Sequence, residues 1–125
     1  MNNDNNVLRR ALAANAGFSS ITGLFALLMA GSLSDALGPP TWSLRALGVG
    51  LLAFAAVTAN EAREPRRTGT WQIIAADVGW VIAAAIIVGL SPPWLTETGR
   101  TVVVAVTVIV AAVAVAQWRG LESTA

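Results

Sequence analysis

The chain contains no cysteine, histidine, tyrosine or lysine, and each absence removes a class of chemistry. Without cysteine there is no disulfide, no thiolate nucleophile and no zinc–sulfur site. Without histidine, the commonest general base and the commonest metal and haem ligand are missing. Without lysine no Schiff base forms, which excludes a covalent retinal binder. We therefore expect neither a metal site nor a bound cofactor.

Charge is also scarce, since 12% of the 125 residues are charged and 55% are hydrophobic. A soluble domain carries about 25% charged residues, so this chain lacks the charge needed to cover a surface that faces water. Residues 11–34, 78–96 and 101–118 contain no charged residue at all. Residues 42–60 form a fourth apolar stretch if Arg45 extends its guanidinium to the lipid headgroups.

A helical crossing of a bilayer needs about 20 predominantly apolar residues, and four such stretches fit in the chain. A membrane barrel is excluded because its strands alternate apolar and polar residues, which these stretches do not. The sequence predicts an all-α integral membrane four-helix bundle that forms a single transmembrane domain. The predicted spans are residues 10–32, 42–60, 70–90 and 99–118.

The arginines predict how the bundle lies in its membrane. Six of the eight lie before span one, between spans two and three, or after span four: Arg9, Arg10, Arg63, Arg66, Arg67 and Arg119. Since arginine accumulates on the cytoplasmic side, both termini are expected in the cytoplasm, with the protein in a cell inner membrane or plasma membrane. The two loops that contain Pro-Pro pairs then face outward.

Two segments of the chain resemble each other and suggest two related helical hairpins. Residues 13–18 align with residues 75–80, which pairs Asn15 with Asp77 and Phe18 with Trp80. Coincidence is the alternative, because alanine matches are frequent in an alanine-rich chain. Each span also carries small residues four positions apart, which permit close helix packing within the bundle or in a dimer: Ala13 and Gly17, Ala46 and Gly50, Gly79 and Ala83, Ala112 and Ala116.

Asp77 is the one acidic residue inside a predicted span, about 10 Å from the cytoplasmic end at about 1.5 Å per residue. A carboxyl group at this depth needs a hydrogen-bonding partner or a neutral state. Asn15 lies at the same depth in span one, with Ser19 on the same helical face. We predict a site between spans one and three, formed by Asp77, Asn15, Trp80, Phe18 and Ser19. Gln117 and Thr107 on span four are further candidates for its lining.

Three hypotheses explain an aspartate in this position. In the first, a hydrogen bond from Asp77 to Asn15 or Ser19 fixes the pairing of helices in a scaffold that binds a partner protein. In the second, Asp77 and Asn15 form the polar end of a pocket for a small amphiphilic or hydrophobic ligand. In the third, Asp77 couples proton or ion movement in a small transporter or channel.

An enzyme is not expected, because acid–base catalysis generally needs two groups with separated pKa values and only Asp77 lies at depth. Asp35 and Glu97 border the outward loops beside Arg45 and Arg100, and we interpret them as solvated acids. The expected partners are the lipid bilayer, a second copy or a partner membrane protein, and a small amphiphilic ligand. The net charge of +1 gives no sign of nucleic acid binding.

Short motifs along most of the chain carry a family resemblance: residues 8–12 with Asn15 and residues 18–19, residues 44–48, and Asp77 with Trp80. On these motifs the chain resembles small uncharacterised four-span bacterial membrane proteins that are DoxX-like in outline. The resemblance implies a four-helix membrane fold and a supporting role beside redox enzymes. It carries over no catalytic residue.

Overall fold

The computed structural model describes residues 3–123 of the protein, and the side chains of residues 6–122. Within this range the chain forms five helices: α1 (Asn3–Leu28), α2 (Ala30–Leu37), α3 (Thr41–Arg63), α4 (Arg67–Leu90) and α5 (Glu97–Ser123). Four segments of them are long and apolar enough to cross a membrane: Asn6–Leu28, Thr41–Arg63, Arg67–Leu90 and Glu97–Glu122. The predicted all-α membrane fold with four spans is confirmed.

The first long helix is shorter at its far end than the sequence predicts. The predicted span continues to residue 32, whereas α1 ends at Leu28 and the separate eight-residue helix α2 begins at Ala30. Helix α2 ends at Gly38, whose φ of 112° is in the left-handed region that favours glycine. A Cβ at this position would also lie 1.8 Å from the carbonyl oxygen of Trp94. Gly38 therefore lets the first Pro-Pro loop pack against the second.

The connection between α4 and α5 is tied to the end of α2 by hydrogen bonds from Thr96. Its backbone N–H donates to the carbonyl oxygen of Leu37 at 3.1 Å, and its hydroxyl donates to that of Ala36 at 2.7 Å. The same hydroxyl oxygen accepts the backbone N–H of Gly99 at 2.9 Å, which caps the first turn of α5. The two proline loops thus form one joined end of the bundle, which we call the proline end.

The opposite end, which we call the arginine end, is closed by an apolar cluster. It contains Leu8 and Leu12 from α1, Ile73 and Ile74 from α4, and Leu121 from α5. Gly120 on α5 lies so close to α1 that a Cβ there would be 2.9 Å from the Cα of Leu8. The start of α1 and the end of α5 therefore lie side by side.

The four long helices pack around the bundle in the order α1, α3, α4, α5. Helix α1 packs along α3 and α5, and α4 packs along α5, whereas α3 and α4 touch little. In the described part of the chain, the backbones of α1 and α4 do not approach each other closely. The sequence interpretation had packed these two spans against each other. They instead lie on a diagonal, and long side chains connect them across the interior.

The seam between α1 and α3 depends on two glycines that face each other. A Cβ on Gly48 would lie 2.8 Å from both the carbonyl oxygen of Gly23 and the backbone nitrogen of Leu27. The small-residue pairs singled out in the sequence do not form this seam, since Gly17, Gly50 and Gly79 have open space around the Cβ position. These pairs face outward, and a dimer seam through them stays a prediction.

We expect Gly48→Ala to lower the free energy of unfolding by about 1–3 kcal/mol, because the added methyl meets rigid backbone of α1 and pushes the helices apart. Gly50→Ala on the same helix is the matched control, since its methyl meets open space and alanine favours helix. The measurement is unfolding in mild detergent titrated with sodium dodecyl sulfate. Equal destabilisation by both substitutions would contradict the close approach.

Candidate functional site

Three buried polar side chains from three helices form a closed ring of hydrogen bonds in the bundle interior. The amide nitrogen of Asn15 on α1 donates to Oδ2 of Asp77 on α4 at 2.9 Å and to Oε1 of Gln117 on α5 at 2.8 Å. The amide nitrogen of Gln117 donates to the same Oδ2 at 2.9 Å. We call Asn15, Asp77 and Gln117 the polar triad.

The triad is deeply buried, and its members are 4%, 5% and 0% exposed in chain order. Both amide hydrogens of Asn15 are used, and its oxygen accepts the hydroxyl of Ser19, one turn further along α1, at 3.3 Å. A membrane interior offers no water to replace these bonds, so each one favours this arrangement of the helices over others. The triad is thus the connection between the diagonal helices α1 and α4.

A partly open cavity of about 150 Å³ lies beside the triad. Its walls are mostly apolar and aromatic and come from all four long helices: Phe18, Thr22, Leu51, Phe54, Ala76, Val106 and Val110, with Asn15, Ser19, Asp77 and Trp80. This combination of apolar walls and a few convergent polar groups is typical of small-molecule sites.

Two polar atoms at the cavity have no hydrogen-bond partner. The indole nitrogen Nε1 of Trp80 is buried and unpaired among the described residues. Oδ2 of Asp77 accepts both triad bonds, and no described residue bonds to its Oδ1. Because Asp77 also lines the cavity, Oδ1 is the carboxyl oxygen left for a ligand. The cavity therefore has the carboxyl group of Asp77 in its lining, and the unpaired indole N–H of Trp80 is buried within its wall.

The structure brings together all five residues that the sequence singled out, since Asn15, Phe18, Ser19, Asp77 and Trp80 all line this cavity. Gln117, expected only as lining, is a full member of the triad. Thr107 does not reach the site, because its hydroxyl donates to the carbonyl oxygen of Val103 one turn back on α5. The apolar walls from α3 and α5 were not predicted. On α5 a signal was available, because Val106 and Val110 lie eleven and seven residues before Gln117 and therefore on its helical face.

The proposed internal alignment also relates two buried residues on the other two long helices. The alignment that pairs Asn15 with Asp77 also pairs Gln117 on α5 with Ala55 on α3. Both of these residues are buried. Asp77 therefore has an amide partner on the side of α5, whereas the aligned position on α3 carries only a methyl group.

A second buried carboxylate lies where α3 meets α4, at the arginine end. Oε2 of Glu61, which is 4% exposed, accepts the backbone N–H of Arg66 at 2.5 Å and the hydroxyl of Thr70 at 3.2 Å. Its Oε1 pairs with the guanidinium of Arg66 at 3.2 Å. Gly69 makes room for this carboxylate, because a Cβ there would lie 2.2 Å from Oε1. Glu61 thus fixes the turn into α4.

Comparison with models of known protein families, with curated proteins and with solved structures gave no match to this chain. The resemblance to DoxX-like proteins accordingly stays a prediction from short motifs.

We expect Gln117→Leu to lower the free energy of unfolding by about 1–3 kcal/mol, because it removes two buried interhelical hydrogen bonds. Thr107→Val is the matched control on the same helix, since its hydroxyl bonds only within α5, and we expect a change below about 0.5 kcal/mol. Detergent unfolding measures both. Equal stability of Gln117→Leu and the wild type would show that the triad does not hold the helices together.

Proposed function

We propose that this chain is a non-enzymatic multi-pass membrane protein that binds a small amphiphile in the cavity beside the polar triad. The observation that carries the proposal is the pairing of apolar walls with the carboxyl group of Asp77 and the buried, unpaired indole nitrogen of Trp80. Leaving a buried polar atom without a partner costs about 1–3 kcal/mol, so a ligand that bonds the indole nitrogen is favoured.

The chemistry of these two side chains indicates the polar group of the ligand. The indole N–H only donates, whereas an ionised carboxyl oxygen only accepts. A hydroxyl group satisfies both at once, because its oxygen accepts from Trp80 while its hydrogen donates to Asp77. We therefore expect a ligand with a hydroxyl group at the end of an apolar body.

The size and walls of the cavity indicate the shape of that body. An apolar cavity of about 150 Å³ in a protein interior is large enough for benzene. Phe18, Phe54 and Trp80 supply aromatic surfaces, which favour a flat ring. The best-fitting class is a lipid-soluble compound whose hydroxyl sits on a single ring, with any tail leaving through the open side of the cavity.

The orientation of the protein is part of the same proposal. We infer that the arginine end faces the cytoplasm, because six of the eight arginines lie there in the sequence. The site is then nearer the cytoplasmic leaflet, and the ligand reaches it from the lipid phase. An exposed pair of tryptophans at each end supports this placement, because tryptophan is enriched where the membrane meets water. The pairs are Trp71 and Trp118 at the arginine end, and Trp42 and Trp94 at the proline end.

The test is thermal melting of the purified protein in mild detergent with para-pentylphenol, and with pentylbenzene as the probe that lacks the hydroxyl. Only the phenol is expected to raise Tm, since at about ten times its Kd it stabilises the folded state by about 1.4 kcal/mol. Trp80→Phe removes the N–H donor together with part of the aromatic ring and leaves the triad intact, so we expect the difference between the probes to shrink in this variant.

Trp118→Phe is the matched control, because Trp118 is exposed on α5 and does not line the cavity. Asp77→Ala is expected to abolish the response and, in native mass spectrometry, to lose any small molecule that co-purifies with the wild type. Equal shifts by both probes, or an unchanged response in Trp80→Phe, would show that the polar groups do not select the ligand. No shift with either probe would show that the cavity binds neither compound.

A second candidate function is a small proton- or ion-coupled transporter or channel that uses Asp77. It is favoured by a hollow that holds the buried Glu61 and shares the lining residues Phe54 and Ala76 with the cavity. Because both shared residues are apolar, the polar lining is interrupted between the carboxylates of Asp77 and Glu61. We therefore prefer the function of a ligand-binding protein to that of a transporter or channel. Proton uptake by proteoliposomes that is lost in Asp77→Asn would reverse that preference.

A further inference from the structure

The groove between α3 and α4 at the arginine end is a second hollow that the proposed function does not use. Its volume is about 180 Å³, and it lies along the seam where the two helices touch little. One end is polar and the other apolar. The polar lining is Asn60, Glu61, Arg66 and Gln72, and the apolar lining is Phe54, Val57, Ile73 and Ala76.

The two ends of this groove match the two layers of a lipid leaflet. Trp71, which precedes Gln72 in α4, is an exposed tryptophan of the kind that lies at headgroup level. Ala76 is four residues further along the helix than Gln72, which places it about 6 Å deeper. The polar end therefore lies among the headgroups, while the apolar end extends into the hydrocarbon.

The polar end is rich in unused hydrogen-bond donors. The side chain of Arg66 is 72% exposed. Among the described residues it bonds to Glu61 through Nη2 alone, and a guanidinium has five N–H groups. The side-chain amides of Asn60 and Gln72 are exposed and have no partner among the described residues. The carboxylate of Glu61 is already bonded by a backbone N–H, a hydroxyl and Arg66. Its charge is thus compensated within the groove.

The charge around the groove selects an anionic occupant. Arg63 and Arg67, both exposed, lie in the same turn as the Glu61–Arg66 pair. With the exposed Glu64, the charges of residues 61–67 sum to +1, three arginines against two glutamates. A guanidinium binds a phosphate through paired N–H bonds, and amide groups bind the remaining oxygens. A second copy of this chain would bring the same arginines against these and repel them.

We propose that this groove binds an anionic glycerophospholipid. The phosphate lies on the guanidinium of Arg66 between the amides of Asn60 and Gln72. One acyl chain follows the apolar lining past Val57 and Ile73 toward Phe54. The lipid fills the seam between α3 and α4 and contacts both helices. This site adjoins the cavity at Asp77, with which it shares Phe54 and Ala76, but it does not depend on the function proposed for that cavity.

The experiment is native mass spectrometry of the protein released from nanodiscs that contain equal parts of phosphatidylglycerol and phosphatidylcholine. The wild type is expected to retain phosphatidylglycerol in preference to phosphatidylcholine. Arg66→Gln is expected to lower the retained phosphatidylglycerol about tenfold, because a charge-assisted phosphate contact is lost. Arg67→Gln removes the same charge one residue away, outside the groove, and is expected to change it less than about twofold.

Arg66→Gln also removes the ion pair with Glu61, so a second variant separates binding from local folding. Gln72→Leu leaves that pair intact and removes only an amide from the groove, and we expect it to lower the retained lipid about threefold. Excess para-pentylphenol added to the wild type tests independence. It is expected to leave the preference for phosphatidylglycerol unchanged, because the headgroup contacts lie at Arg66 and not at the cavity beside Asp77.

Three results would overturn the proposal. Equal losses in Arg66→Gln and Arg67→Gln would mean that the attraction is spread over the arginine end and has no defined site. Equal retention of phosphatidylglycerol and phosphatidylcholine would show that the negative charge of the headgroup does not determine binding. Displacement of phosphatidylglycerol by millimolar inorganic phosphate would mean that the groove holds a free anion and that the acyl chain contributes nothing.

Discussion

The structure depends on one carboxyl oxygen, Oδ2 of Asp77, which accepts amide hydrogens from two other helices. Neither lipid nor a neighbouring hydrocarbon side chain can replace those bonds, so the depth and rotation of α1, α4 and α5 are linked. The cost of placing an aspartate in a membrane span is offset by this linkage. A four-helix bundle of nearly uniform apolar surface would otherwise have little to distinguish one arrangement from another.

The four seams of the bundle differ in how they are closed. Backbone contact at Gly23 and Gly48 closes the seam between α1 and α3, and Gly120 closes that between α1 and α5. Between α3 and α4 the contact is confined largely to the turn fixed by Glu61, and both hollows of the protein border this seam. Binding capacity and loose packing thus coincide, as expected where pockets form between the helices of a bundle.

The polar residues of the site could be predicted from the sequence because polar residues are rare inside spans and therefore conspicuous. Asn15 and Asp77 were paired by alignment, and Ser19 by helical spacing. Phe54 could not be predicted, since the apolar residues of α3 at this depth lie on every face. Val106 and Val110 lie eleven and seven residues before Gln117, so the face of α5 that Gln117 marks is the signal that could have found them. The diagonal placement of α1 and α4 also escaped prediction, because the span of two side chains allows a hydrogen bond without adjacent backbones.

The contact of Leu8 with Gly120 has a consequence for how the chain is connected. The first turns of α1 and the last turns of α5 lie side by side, at the same end of the bundle as the three-residue link between α3 and α4. If the start of α1 were joined to the end of α5 and the link between α3 and α4 were cut, every helix would keep its place. The two halves of the chain would then follow each other in reversed order. Closely spaced ends of this kind are what circular permutation requires. The geometry of the bundle therefore does not determine which half of this protein is made first.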